Sequence, residues 1–388
     1  MRVLVISPLA ATHLMAMVPV CWGLRLHGHD VLVACPPDLA GTVRSAGLSA
    51  VAVGEEYRLL AEIASEASAQ WYPAVAFADR TSEWGRKVWE LSTSHQVQYA
   101  AEHVRAYLDL ARGWTPDLVL YDHITYTGRL VAAALGVPSV SHRWGVDPTA
   151  GPFEDKVRAD LTATATDLGL DGFPEPDLLL DPCPPSMQVP GAPVGQLVRY
   201  VPFNGTGLLP DWARRPADRP RVCVCLGGTT LDVIGPRPVH RVAEAVAGRD
   251  DLDVVFALTA ANREAVGPLP SSVRVVEALP LSLFLRTCSA VVSTGGSGTG
   301  LTATVFGVPQ LVLPQWFDQF DYGSRLAAAD AGITVQSKEA QDDVPGLAAA
   351  LDRLLTDPQF AAGTEKLAAE IRSAPSPSEV AEQLAALA

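Results

Sequence analysis

Three short stretches carry residue types whose order and spacing suit chemistry. The first is "STGGSGTG", residues 293–300, in which Gly295, Gly296, Gly298 and Gly300 follow an apolar run. Glycines let a chain turn sharply and bring backbone N–H groups close to a ligand. A helix opening near Gly298–Thr299 would aim its unpaired N–H groups and partial positive charge at the same point. That geometry suits phosphate oxygens; a tight strand–helix turn without a ligand is the plain alternative. The spacing matches neither the GxGxxG fingerprint nor the P-loop, since no GK[ST] follows. The second stretch, "LPQWFDQFD" at 313–321, ends the next apolar run. Its Asp318 and Gln319 supply a carboxylate acceptor and a bifunctional amide, the groups that grip sugar hydroxyls. A diphosphate seat beside a sugar seat predicts a nucleotide sugar as ligand. The third is "SPLAATHLM" at 7–15, whose His13 follows the first strand and precedes the next helix. It is the candidate general base, with an incidental loop histidine as the alternative. His27, His29 and His123 rank below it.

These residues need elements to hold them. In the first half, strands are expected over Arg2–Pro8, Asp30–Cys35, Ser49–Val53, Asp117–Asp122 and Pro138–His142, alternating with helical spacing such as Met17, Val20, Cys21 and Leu24. The pattern restarts with Arg221–Leu226, Asp253–Thr259, Val273–Glu277, Ala290–Ser293 and Gln310–Leu313. Between the two series, residues 172–220 are rich in Pro and Gly and read as a connection. Two closing helices are expected, Pro358–Ser373 and Ser376–Ala388. Continuous apolar strands alternating with helices imply parallel sheets covered on both faces. The expected fold class is therefore α/β, two Rossmann-like domains in tandem with a cleft between them. The expected division is 1–201, a linker 202–219, 220–373, and a C-terminal helix 374–388 packing back on the first domain.

A chain of 388 residues is long enough for two such cores. A net charge of −14 argues against nucleic acid and anionic membrane surfaces, which select clustered Lys and Arg. No stretch approaches the roughly 20 consecutive apolar residues of a membrane span, and the N-terminal apolar run breaks at "PLAATH", unlike a signal peptide. Six scattered cysteines without a CxxC pair read as reduced thiols of a cytoplasmic protein. Residues 71–89 hold Trp71, Tyr72, Phe77, Trp84 and Trp89, well above the 7% aromatic content of the chain. They are candidates either for stacking a flat acceptor or for packing helices onto the sheet. Trp144 and Asp147 in "HRWGVD" are candidates for the same mouth. No metal is expected: the "DLD" at Asp251–Asp253 falls at a helix–strand junction, where it reads as solvated.

"GGSGTGLTATVFGVPQLVLPQWFDQ" resembles the donor motif of the inverting family 1 glycosyltransferases of GT-B fold, closest to bacterial enzymes that attach deoxysugars to antibiotic polyketides. "PDLVLYD", "LGVPSVSHRWGVD" and "VPFNGTG" extend the resemblance over nearly the whole chain. It implies an acceptor-binding first half and a donor-binding second half. Thr294, Gly295, Gly296, Ser297, Gly298 and Thr299 would then hold the donor phosphates, with Gly227, Gly228 and Thr229 as further phosphate contacts. Ala278, Leu279 and Pro280 would face the nucleobase, and Asp318 and Gln319 the sugar. His13 would act as base with Asp122 as its partner; a helix N-cap is the alternative reading of Asp122. The partners implied are a dTDP- or UDP-linked deoxysugar and a hydrophobic aglycone, with no cofactor beyond the co-substrate, and a homodimer as one possible assembly. The sequence departs from the family at Thr294, where a histidine usually stands. A hydroxyl contributes roughly 0.5–1.5 kcal/mol per hydrogen bond, against about 1.5–3 when a charged group takes part. A nucleotide-sugar 2-epimerase and a weakly catalytic auxiliary homologue are the alternative readings, the latter favoured by Thr294.

Overall fold

The computed structural model describes residues 1–7, 10–56, 79, 81–149, 152–215 and 217–388. Two parallel sheets organise it. The first is built from β1 (Arg2–Ile6), β2 (Asp30–Cys35), β3 (Ser49–Ala52), β4 (Leu118–Asp122), β5 (Ser139–His142), β6 (Leu178–Asp181) and β7 (Gln196–Leu197), in the spatial order β3-β2-β1-β4-β5-β6-β7. The second contains β8 (Arg221–Cys225), β9 (Asp253–Leu258), β10 (Arg274–Glu277), β11 (Ala290–Ser293), β12 (Gln310–Val312) and β13 (Gly332–Thr334), in the order β10-β9-β8-β11-β12-β13. Both are doubly wound α/β sheets.

Each central strand buries both faces, which is why these runs carry no polar alternation. In β1, Val3 and Val5 pack with Leu14, Met17 and Leu24 of the helix Ala11–Leu26. Leu4 and Ile6 point the other way, onto Tyr107 and Leu108 of the helix Glu83–Trp114. Such side chains contribute about 1.5–3 kcal/mol each when fully buried. β8 repeats the arrangement, with Val222 and Val224 on one face and Cys223 and Cys225 on the other. The cysteines are free and serve as small packing residues.

Order reverses between β1 and β4 in the first sheet and between β8 and β11 in the second. A crevice opens beyond the carboxyl ends of strands at such switch points, and ligands of doubly wound sheets bind there. At or just beyond the carboxyl ends of these four strands stand His13, in the helix that follows β1, Asp122, the last residue of β4, and Gly227 and Thr294, in the turns after β8 and β11.

Two expectations are corrected. The Pro-rich stretch 172–220 is not all connection, since β6 and β7 lie within it and pair with β5 and with each other. They are short, and the prolines around them mask their periodicity. β13 was also missed; three residues are too few to show a pattern.

The lobes are held together by more than the linker. Val146, Cys183, Met187 and Val189 share one apolar cluster with Val312, Tyr322, Leu326 and Leu367. The final helix, Pro377–Ala385, starts with a capping box between Ser376 and Glu379 and sends Val380, Ala381 and Leu384 into the core of the first lobe. Gly23 makes room for it: a Cβ there would lie 2.5 Å from the Pro377 carbonyl oxygen.

Candidate active site

A cavity of about 250 Å³ lies between the lobes, lined from one side by His13, Trp89 and Trp144 and from the other by Gly227, Thr294, Gly296, Ser297, Phe317 and Asp318. His13 sits in the first turn of the helix Ala11–Leu26 rather than in the loop before it. Its Nδ1 is 3.2 Å from Oδ2 of Asp122, which is fully buried at the end of β4. The other carboxylate oxygen of Asp122 accepts from the Ile124 N–H at 3.2 Å. Asp122 is therefore held from both sides, and it holds the imidazole in turn.

Opposite stands the helix Ser297–Val305, with Gly296 as its N-cap. It opens one residue earlier than the glycine spacing suggested. Its four glycines have different reasons to be there. Gly296 and Gly298 face open space, and both line the cavity. Gly295 is needed by the turn, at φ 86° with Val312 closing on it, and does not line the cavity. Gly300 makes room for the Tyr322 ring, which a Cβ would meet at 2.2 Å. Thr229, Thr230, Thr294, Ser297 and Thr299 line the same cavity. No Lys or Arg is among the described residues lining the cavity. An anion there would meet backbone N–H groups, a helix end and hydroxyls.

Trp144 bridges the two sides. Its ring stacks on His13, with centroids 4.3 Å apart and planes at 18°. Its indole N–H donates to Asp318 at 3.0 Å, and the Ser297 hydroxyl donates to the same oxygen at 3.2 Å. Trp144 is thus a spacer between the histidine and the acid, with one face already covered, rather than an open platform for an acceptor. Burial pushes the Asp318 carboxyl above its ordinary range, opposed by the Trp144 hydrogen bond, the nearby His13 and the Ser297 hydroxyl.

The remaining candidates divide. Gly227, Gly228 and Thr229 line the cavity, and Gly227 caps the helix Gly228–Ile234. Gln319 lines it too, but its amide is committed. Its oxygen accepts from the Gln315 N–H at 3.0 Å, and its nitrogen donates to Thr230 at 3.1 Å. Ala278, Leu279 and Pro280 lie past the end of β10 and outside the cavity lining. Asp147 is corrected: it is buried and does not line the cavity. It accepts from Arg143 at 2.7 Å and from Thr149 at 2.6 Å, and it pairs with His123 at 3.3 Å. Burial alone would raise the Asp147 carboxyl, but His123, Arg143 and Thr149 outweigh it and hold it well below the carboxylate range. Arg143 also binds Asp181 at 2.7 Å, so this buried network anchors the strand end next to Trp144. Trp84 is corrected likewise: it lies outside the cavity, beneath the Lys87 ammonium at 4.6 Å. Trp71, Tyr72 and Phe77 fall outside the described residues. The acids of the "DLD" string pair with arginines, Asp251 with Arg249 and Asp253 with Arg221, both at 2.8 Å.

Several lining residues escaped the sequence reading. Ser92, Thr93 and Gln96 recur at helical spacing with Trp89, already a candidate of the aromatic run, along one face of Glu83–Trp114, and that periodicity was the available signal. Thr230 and Phe317 adjoin motifs already noted but carried no signal of their own.

The architecture is that of the GT-B glycosyltransferases. Spinosyn rhamnosyltransferase SpnG, solved in complex with thymidine diphosphate, superimposes with a TM-score of 0.90 at 42% identity over 99% of this chain and 100% of that one. SnogD, a glycosyltransferase from Streptomyces nogalater, does so with a TM-score of 0.78 at 30% identity over 100% and 99%. Among characterised relatives, the L-demethylnoviosyl transferase of Streptomyces niveus is 35% identical over 100% of this chain and 98% of its own. The tylactone mycaminosyltransferase of Streptomyces fradiae is 34% identical over 99% and 92%. Residues 22–227 match the N-terminal domain, and residues 241–387 the C-terminal domain, of the erythromycin biosynthesis protein CIII-like family. The chain belongs to that family, and it is a glycosyltransferase.

Proposed function

We propose that this glycosyltransferase moves a deoxysugar from a dTDP-linked donor to a polyketide or related aromatic aglycone, with inversion at the anomeric carbon. One observation carries the reading: His13, held by the buried Asp122, faces the glycine-capped helix across a single cavity, with Trp144 stacked on it and bonded to Asp318. In this reading the acceptor hydroxyl gives its proton to Nε2 of His13, whose Nδ1–H is held by Asp122. The acceptor oxygen forms its bond to the anomeric carbon as the bond to the diphosphate oxygen breaks on the opposite face. Charge then gathers on the diphosphate, where the helix Ser297–Val305 and the hydroxyls of Thr229, Thr294 and Thr299 stabilise it. Asp318, already held by the Trp144 and Ser297 donors, accepts from sugar hydroxyls.

Thr294 in place of a histidine leaves the leaving group without a positively charged donor. Thr229 and Thr299, which line the same cavity, offset part of that difference. The test is incubation with dTDP-sugars and a panel of aglycones, with product masses recorded. A mass increase of one deoxysugar on the aglycone, with nucleoside diphosphate released, is the expected result. Binding of thymidine diphosphate without transfer to any aglycone would overturn the proposal.

A further inference from the structure

One residue of the donor lobe faces the acceptor side of the cavity under backbone strain. Phe317 precedes the helix Asp318–Ala328 with φ 50° and ψ −136°. L side chains rarely adopt that region, whereas glycine enters it freely. A phenylalanine held there indicates that the ring is what the position supplies, since strain of this kind persists only where the surroundings over-determine it. The ring crosses the cleft and meets Trp89 of the other lobe edge-on, with centroids 5.1 Å apart and planes at 77°. Trp89 in turn packs against Phe153 at 5.1 Å. All three rings line the cavity, on the flank that also carries Ser92, Thr93 and Gln96. Phe317 is only partly buried, so its ring closes a ligand space rather than filling a core. The Trp89 indole N–H is buried without an acceptor among the described residues, leaving a donor unused in the same wall.

We propose that Phe317 is a specificity-determining residue, the donor lobe's own wall of the acceptor site, stacking with Trp89 against an apolar ring of the aglycone. It rests on the transferase reading above and deepens it. Acceptor choice is then set partly by the lobe that binds the nucleotide.

Steady-state kinetics and thermal melting of F317G, F317A and F317Y test this. F317G removes the ring and the strain together, so acceptor KM climbs roughly tenfold or more while melting shows the fold retained. F317A shows the same loss in acceptor KM, and F317Y restores it to within about threefold of wild type. Donor KM stays within about twofold in all three. A wild type that glycosylates while F317G and F317A keep its acceptor KM overturns this assignment and leaves the transferase reading intact. A parallel rise in donor and acceptor KM overturns it as well, since it would mean that Phe317 holds the lobes together and does not touch the aglycone. A wild type that binds nucleotide and never glycosylates overturns the transferase reading, and this assignment with it.

Discussion

Asp122→Asn is the sharpest perturbation available at the candidate base. The substitution keeps shape and volume at a fully buried position and removes one charge. The geometry dictates how the new amide sits. One carboxylate oxygen of Asp122 accepts from the Ile124 N–H, so the amide oxygen takes that place. The NH₂ group then points at His13 Nδ1, 3.2 Å away in the native arrangement. A donor there requires Nδ1 to be the acceptor and puts the ring proton on Nε2, the atom that has to receive the acceptor's proton. The lost charge-assisted hydrogen bond accounts for about 1–2 kcal/mol, or roughly tenfold. The wrong tautomer adds most of the remainder, giving a fall in kcat of about 10²–10⁴. The assay is nucleoside diphosphate release at saturating donor and acceptor, with product confirmed by mass. Donor KM is expected within about threefold of wild type, because Asp122 is remote from the helix mouth. Asp122→Ala, which offers no competing donor, should be no more impaired than Asp122→Asn. Turnover of Asp122→Asn within about threefold of wild type, with the fold intact by melting, would refute the tautomer argument and the role of the pair.

Other consequences can be checked with the same protein. His13→Ala should lower kcat by roughly 10²–10⁴ while thymidine diphosphate affinity, read by calorimetry, stays nearly unchanged. Asp318→Ala should lower kcat/KM for the sugar donor by about 10–100-fold and leave the free nucleoside diphosphate within about threefold, since the acceptor it removes serves the sugar hydroxyls, Trp144 and Ser297 rather than the diphosphate. Gly145→Ala should lower stability by about 1–3 kcal/mol and raise donor KM, because its Cβ would lie 2.4 Å from Ser297 at the helix mouth and force the lobes apart; melting and kinetics read both. Acid should destabilise the fold through His142, whose pKa burial lowers to about 4 from 6.5. Between those values the unfolded chain binds a proton that the folded chain refuses, so stability falls as pH drops from about 6.5 to 4, by on the order of 3 kcal/mol. Asp147, held low in the fold, adds loss in the same direction as pH falls below the usual carboxylate range. Melting temperatures from pH 7 to 4 should show a shallower decline for His142→Asn; parallel curves would contradict this assignment.

Much of the frame is written locally. Apolar runs of four to six residues alternating with helical spacing were enough to place ten of the thirteen strands among the described residues and both closing helices, because burial on two faces leaves a strand few polar positions. The glycine cluster, Asp318, His13 and Asp122 were legible for a related reason: each follows a recognisable strand, and strand ends at switch points are where ligands of such sheets bind. Tertiary structure decided who meets whom. Asp147 looked like a residue of the mouth, yet Arg143 and His123 draw it into a buried network. The aromatic run suggested Trp84 and Trp89 alike, whereas helix phase turns only Trp89 to the cleft and leaves Trp84 with Lys87. Trp144 meets Asp318, 174 positions on, and Trp89 meets Phe317 only because the lobes close on each other. Periodicity records which face of an element is buried. It says nothing of which distant face it is buried against, since that is settled by packing between segments with no shared local signal.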